Sequence, residues 1–290
     1  MALIPNWSRI INIKFLSASN NPQVINNIIC PLTGRKPNIE IQGQISTDNI
    51  LPSFNIKIKN LYFENLSQQY GNIRVEAGYR NQVKVAFTGS IISIFPEEPS
   101  PEGTVVIQCI GGNMEHWLDE YININLPERF TLKEAITTLT QKLQLESPDI
   151  DISVVAKSSN VPLQIQAKAT TIINELKRIF SDVEIIAYSN KISVWPKKAQ
   201  PMKLPRELNY LSAPPQLIAG EDKNALAWIT APWDPNLRPG DLVKINQNVF
   251  SIKNTLAKPS DTGTYVIQTI DFHFSTVGKI NRMTILGAAV

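Results

Sequence analysis

The stretch "NIRVEAGYRNQVKVAFTGSIISI", Asn72 to Ile94, alternates apolar with polar residues, breaks at Ala77-Gly78, and then alternates again. Ile73, Val75 and Ala77 fall on one face of the first run, and Val83, Val85 and Phe87 on one face of the second. A period of two puts each set on one side of an extended backbone, which is the mark of a half-buried strand. Between the runs Gly78 offers a bulge or turn, and Asn81 tolerates a left-handed conformation. Gly89 follows "AFT" and is, with Gly78, a point where a barrel strand bends or ends.

Working outward, "SFNIKIKNLYF" sets Phe54, Ile56 and Ile58 against Asn55, Lys57 and Lys59. "GSIISIF" and "GTVVIQCI" follow, separated by the turn-rich "PEEPSPEG". Short strands rich in β-branched residues predict an antiparallel barrel or sandwich over residues 1–112.

The period changes over 113–205. "TLKEAITTLTQKL" opens with Thr131 and Glu134 in capping-box spacing and places Leu132, Ala135, Ile136, Leu139 and Leu143 on one helical face. "TTIINELKRIF" repeats this with Ile172, Ile173, Leu176, Ile179 and Phe180. "DISVVA" and "LQIQA" lie between, and "VEIIAYSNKISVW" predicts a hairpin turning at Ser189-Asn190. Helices at 131–145 and 171–180 covering one sheet face describe a small α+β module.

Over 206–290 strands return. "NLRPGDLVKI" offers a Pro239-Gly240 turn into a strand, "TYVIQTIDFHF" alternates less cleanly, and "KINRMTILGAAV" supplies a last strand. The expected class is mainly β with an α+β insert: two antiparallel β-barrel domains, 1–112 and 206–290, flanking a small α+β domain at 113–205. No internal repeat is visible in the residues.

The chain has 290 residues, 43% of them hydrophobic and 18% charged, which suits two or three folded domains. A net charge of +3 makes no case for nucleic-acid binding, which shows dense Lys/Arg clusters. The one basic concentration, Lys197, Lys198, Lys203 and Arg206 among prolines, reads as a solvated linker or a contact surface. Cys30 and Cys109 form no CxxC motif or disulfide framework, which fits a reducing compartment. Arg9 and Asn12 interrupt the N-terminal apolar run, so neither a signal peptide nor a membrane span is expected.

Enzyme motifs are missing. His116 and His273 are the only histidines, which rules out HExxH and supplies a metal site poorly. GxSxG, GxGxxG and GxxxxGK[ST] do not occur. "CIGGN", with Gly111-Gly112, reads as an interdomain hinge. Acidic neighbours such as Asp119 with Glu120, or Asp149 with Asp151, could serve glycoside hydrolysis, but caps and solvated faces explain them as well. The five tryptophans are scattered, which suits core packing better than base stacking. Neither a cofactor nor a metal is expected.

Three elements in order, "IKNL" (Ile58–Leu61), "VEAGY" (Val75–Tyr79) and "AFTGSI" (Ala86–Ile91), resemble the N-terminal domain of baseplate hub proteins from contractile-tailed bacteriophages. That group includes the late control protein D family and the hub part of type VI secretion spike proteins. The "SNKISVW" hairpin and the "LRPGDLVKI" strand entry resemble its later domains. The resemblance covers the domain order along nearly the whole chain, with motif detail confined to the first ~100 residues.

The resemblance implies tail-tube-like barrels with Gly78, Tyr79, Phe87, Gly89, Pro239 and Gly240 at structural barrel positions. It also implies a structural hub joining the sixfold tail tube to the threefold central spike, with a channel for passage of DNA or tape measure. Its partners would be itself as a homotrimer, the tube or tube-terminating protein, the spike and other baseplate proteins. DNA would meet it only in transit, and no membrane insertion is implied. It would be assembled in the bacterial cytoplasm and reside in the virion. Two other readings stay open: a tail-associated cell-wall lysin using Asp119 and Glu120, and a single-stranded nucleic-acid-binding barrel.

Overall fold

Alternating β-branched and aromatic residues build most of the chain. The computed structural model describes residues 9–16, 23–26, 36–47, 50–62, 66, 71–79, 82–97, 103–112, 115–188, 191–197, 205–207, 216–218, 226–232, 234, 237–244, 264–277 and 281–289. The first β region comprises β1 (Arg9–Leu16), β2 (Gln23–Asn26), β3 (Asn38–Ser46), β4 (Ser53–Lys59), β5 (Asn72–Tyr79), β6 (Gln82–Pro96) and β7 (Thr104–Gly111). A π-helical turn at Glu115–Asp119 leads into the insert. This holds β8 (Tyr121–Leu126), α1 (Leu132–Lys142), β9 (Asp149–Ile150), β10 (Leu163–Lys168), α2 (Ala169–Ile179), β11 (Val183–Tyr188) and β12 (Lys191–Pro196). The second β region comprises β13 (Arg206–Glu207), β14 (Gln216–Ile218), β15 (Leu226–Pro232), β16 (Leu242–Lys244), β17 (Thr264–Ser275) and β18 (Asn281–Ala289). The class is the expected one, mainly β with an α+β insert between two β regions.

The β regions share one 13-stranded sheet, in the order β14-β15-β18-β17-β3-β4-β7-β6-β5-β1-β2, with β13 and β16 attached at β17. They meet where β3 pairs antiparallel with β17, from Thr269↔Ser46 to Ser275↔Glu40. One hydrophobic core runs beneath the join, taking Ile39, Ile41, Ile45 and Phe54 from one side and Ile270, Phe272, Phe274 and Met283 from the other. Full burial of each such side chain contributes roughly 1.5–3 kcal/mol, so the join is held as a domain interior is. The uneven alternation of "TYVIQTIDFHF" has a cause here. Ile267 faces Gly287 but Thr269 faces Leu286, so Gln268 is an extra residue and the face pattern flips at that bulge.

β6 is the longest strand among the described residues, at 15 residues, and it changes partner midway. Gln82–Ser90 pairs with β5, whereas Ser90–Pro96 pairs with β7. Two bulges flank the change, because Ala86 and Ile92 are each skipped in the register. Bulges sharpen strand twist, and this is how one strand turns a corner between layers. The sequence suggested Gly78 as a bulge or turn. In the structure β5 runs unbroken through Gly78, which is buried between Ile10 of β1 and Val83 of β6, and the bulge is at Ala86.

The insert has its own core of Trp117, Phe130, Ile136, Leu139, Ile173, Leu176, Ile185 and Val194 among others. Thr131 Oγ1 accepts from the Glu134 N–H at 3.2 Å and the Glu134 carboxylate accepts from the Thr131 N–H at 2.7 Å, so the capping box is complete. The expected single sheet is instead two small ones, β8 with β10 and β9-β12-β11. "DISVVA" is mostly turn, because the Asp151 carboxylate captures the N–H and hydroxyl of Ser153 at 3.0 and 2.5 Å, a local bond that competes with a strand ladder. Ser189-Asn190 lies outside the described residues, although β11 and β12 pair antiparallel on either side of it.

Candidate functional site

Alternation along the join sends Glu40, Gln42 and Gln44 of β3, Asn55 and Lys57 of β4, Gln108 of β7, and Asp271 and His273 of β17 to one polar face. The opposite face carries the core, so this polar face is fixed by the same periodicity that buries Ile41 and Ile56. Gln44 Nε2 donates to Asp271 Oδ1 at 2.8 Å, across the join, and Ser46 Oγ lies 3.0 Å from Thr269 Oγ1 at its buried end. His273 Nε2 stands 2.6 Å from Glu40 Oε1 without the alignment of a hydrogen bond. Elsewhere Gln42 Nε2 donates to Glu40 Oε1 at 2.9 Å, Ser93 Oγ donates to Gln108 Oε1 at 2.8 Å, and Lys57 pairs with Glu97.

Two shallow recesses open on this face. One of about 410 Å³ is lined by Gln42, Gln44, Ser53, Asn55, Asp271 and His273. The other, of about 420 Å³, is lined by Glu40, Lys57, Phe95, Glu97 and Gln108 and shares Gln42 and Asn55 with the first. Amides dominate, and each charge has an opposite charge or an amide beside it. Among the described residues no group of three or more His, Cys, Asp and Glu side chains could hold a metal.

A second constellation fastens the insert to the sheet. The skipped residue Ala86 has no partner on β5, and Tyr188 of β11 donates its hydroxyl to that carbonyl. The Arg238 guanidinium lies 4.0 Å above the Tyr188 ring, and Trp195 of β12 faces Gly240. Burial pushes the Tyr188 hydroxyl above its ordinary pKa, with Arg238 opposing weakly, so it remains a neutral donor.

The residues singled out from the sequence fall in different places. Phe87 is buried and stacks on Phe54 with ring centroids 3.9 Å apart. Gly89 lies where β6 changes partner, and a Cβ there would overlap the Ile110 carbonyl oxygen. Gly240 has φ +86 and no space for a side chain, since a Cβ would stand 2.5 Å from the Trp195 ring. Pro239 precedes it and is buried. Phe87 and the Pro239-Gly240 turn thus approach Tyr188 and Trp195, while Gly78 lies farther along β5. Tyr79 ends β5, with its side chain outside the described residues.

The suggested hinge at Gly111-Gly112 is fastened. Gly111 N–H donates to Pro52 O at 2.7 Å, Gly112 N–H to Thr88 O at 3.1 Å, and Ser90 Oγ to Gly112 O at 3.2 Å. Asp119 and Glu120 are exposed at the end of the π-helical turn, next to the exposed Tyr121, while Trp117 is buried beneath them. Asp151 is buried as a turn cap and does not share a reactive face with Asp149. Burial pushes the Cys109 thiol up to about 12, which leaves no nucleophile there. Cys30, the side chain of His116 and most of the basic stretch lie outside the described residues. Lys197, which is described, sits 3.5 Å from Glu184. Tyr188 and Arg238 were not found from the sequence, since nothing local distinguishes a tyrosine that will meet a bulged carbonyl about a hundred residues away.

No family model matches the chain, and no curated protein is similar to it in sequence. Its fold matches a 43 kDa tail protein of prophage MuSo2 from Shewanella oneidensis, with a TM-score of 0.61, 10% identity and 97% of each chain covered. A tail protein from Neisseria meningitidis MC58 matches with a TM-score of 0.61 and 8% identity over 98% of this chain and 97% of that one. A component of the E. coli type VI secretion system, described as structurally similar to bacteriophage T4 tail proteins, matches with a TM-score of 0.55 and 10% identity over 87% of this chain and 73% of that one. The likeness thus runs over nearly the whole length of this chain and of the two tail proteins. The chain has the fold of a phage tail protein.

Proposed function

We propose that this protein is a structural baseplate hub, a symmetry adaptor joining a sixfold tail tube to a threefold central spike. The observation that carries this reading is the edge-to-edge join of the two β regions through β3 and β17, within one chain. Residues 1–112 and 206–290 then act as two tube-type barrels side by side, and three copies present six such units to the tube. The insert at 113–205 hangs from the sheet through Tyr188 and Trp195 and lies outside that ring. The polar face of the join lines the channel, where balanced amides let DNA pass without the multi-phosphate grip that retains it. The work of such a subunit is docking to tube and spike and releasing the spike, with no bond chemistry and no cofactor. The virion baseplate is its place, after assembly in the host cytoplasm.

Reconstruction of the tail tip of the parent phage, with this protein labelled, tests the reading. Three copies between tube and spike are expected. Six copies, one copy, or a position on the tail sheath would overturn it.

A further inference from the structure

In the insert, described without a break from residue 115 to 188, β8 and β10 form a two-stranded antiparallel sheet that no third described strand joins. Ile122, Ile124 and Leu126 of β8 and Leu163, Ile165 and Ala167 of β10 turn to the insert's core. Alternation sends the other half of each strand outward in three cross-strand pairs: Tyr121 with Lys168, Asn123 with Gln166, and Asn125 with Gln164. Tyr121 is 65% exposed. Four side-chain amides thus stand at the corners of a rectangle, about 7 Å along the strands and about 5 Å across them, with a tyrosine ring at one end.

Strands disfavour asparagine, so Asn123 and Asn125 oppose the local preference of β8. The fold gains nothing in return, because among the described residues none of the six outward side chains takes a hydrogen bond or an ion pair. On the join, by contrast, Gln42, Gln44 and Gln108 are each bonded to a neighbour. A local rule broken without a structural gain points to a surface kept for a ligand.

Charge selects the class of ligand. Of the six residues Lys168 alone is charged, and the exposed Asp119 and Glu120 adjoin the tyrosine end, so a polyanion is not attracted. Apolar area is limited to one ring, too little for the core of a protein interface. An amide sets a donor group beside an acceptor, which suits a vicinal pair of hydroxyls, and a tyrosine ring covers the C–H face of a sugar. We propose that this face binds an uncharged glycan chain, with Tyr121 as the platform under one sugar and the four amides bonded to hydroxyls farther along the strands. The site stands on the insert alone and goes beyond the hub reading, in which the insert lies outside the ring, where a tail tip meets its host's envelope. A shallow face leaves much of the ligand in water, so a single site binds weakly, with a dissociation constant of the order of 1 mM. Several copies on one tail tip raise the overall affinity by about 10²–10⁴-fold.

Titration of the full chain with cellotetraose, chitotetraose and maltotetraose, followed by saturation-transfer and amide NMR, tests the site. At least one should bind, with shifts confined to residues 121–126 and 163–168. Tyr121→Ala should weaken that binding by about tenfold and Tyr121→Phe by less than about twofold, since the ring is used and the hydroxyl is not. Asn123→Ala with Gln166→Ala should weaken it by about fivefold or more, with melting unchanged because both side chains are exposed and unbonded.

No binding of any of the three, shifts centred on the join, or full binding by Tyr121→Ala overturns the proposal. So does conversion of a bound ligand to shorter products, which would make the face part of a lysin. Glycan binding by a protein absent from the tail tip would keep this site and remove the hub reading. A protein at the tail tip that binds none of the three would do the reverse.

Discussion

Replacing Gly89 with alanine tests the corner on which the sheet turns. A Cβ at this position would overlap the Ile110 carbonyl oxygen and stand 3.0 Å from the Ile110 carbonyl carbon and 3.2 Å from Gly111 Cα. All three atoms belong to backbone, so no rotamer change can relieve the contact. The neighbouring backbone is pinned by the bonds from Gly111 to Pro52 and from Gly112 to Thr88. Overpacking a close-packed site costs about 1–3 kcal/mol, and displacing these bonds places Gly89→Ala near the top, at about 3 kcal/mol. At about 2–4 °C per kcal/mol for a chain of this size, melting should fall by about 6–12 °C. Gly71 supplies the comparison, since a Cβ there would meet nothing within 4 Å. Gly71→Ala should be neutral or stabilise by about 0.4–1 kcal/mol through the unfolded chain. Calorimetry and urea unfolding of both variants decide the matter. Equal melting of the two, or a Gly89→Ala shift within about 2 °C of the parent, would refute the close approach of β6 to β7.

Tyr188→Phe should cost about 1–3 kcal/mol, read by urea unfolding, because the Ala86 carbonyl at the bulge is left buried without its donor. Cys109 links stability to alkaline pH: its thiol titrates near 9.0 when exposed and at about 12 when folded. The unfolded chain thus loses its proton first, so the stabilisation is complete below about 9 and falls by up to about 4 kcal/mol as pH rises to about 12. Cys109→Ala should flatten that limb of an unfolding-versus-pH curve, and a slope equal to the parent's would contradict the burial. Thr131→Ala removes the cap of α1 and should lower stability of the insert by about 1 kcal/mol, seen as faster amide exchange over 132–142 with the sheet unaffected. Alanine at both Asp119 and Glu120, which are exposed, should leave tail assembly and infectivity intact; loss of cell-wall cleavage in that variant would favour the lysin reading.

The residues alone were enough to identify the elements that local periodicity governs. Alternation located β4, β5 and β6, and helical spacing with a capping box located α1, because strand and helix periods depend on neighbours within a few residues. Asn55 and Lys57 were legible as the outward half of β4, and so part of the polar face was visible before its role. What needed the tertiary structure was the choice of strand partners. An edge such as β3 carries the same donors and acceptors along its length as any other, and its pairing with β17, more than two hundred residues away, depends on which apolar faces pack together. The bulges at Ala86 and Ile92 belong to this second class, since a skipped residue exists only relative to the strand it skips. So does Tyr188, an ordinary strand tyrosine until the bulge presents it with a carbonyl.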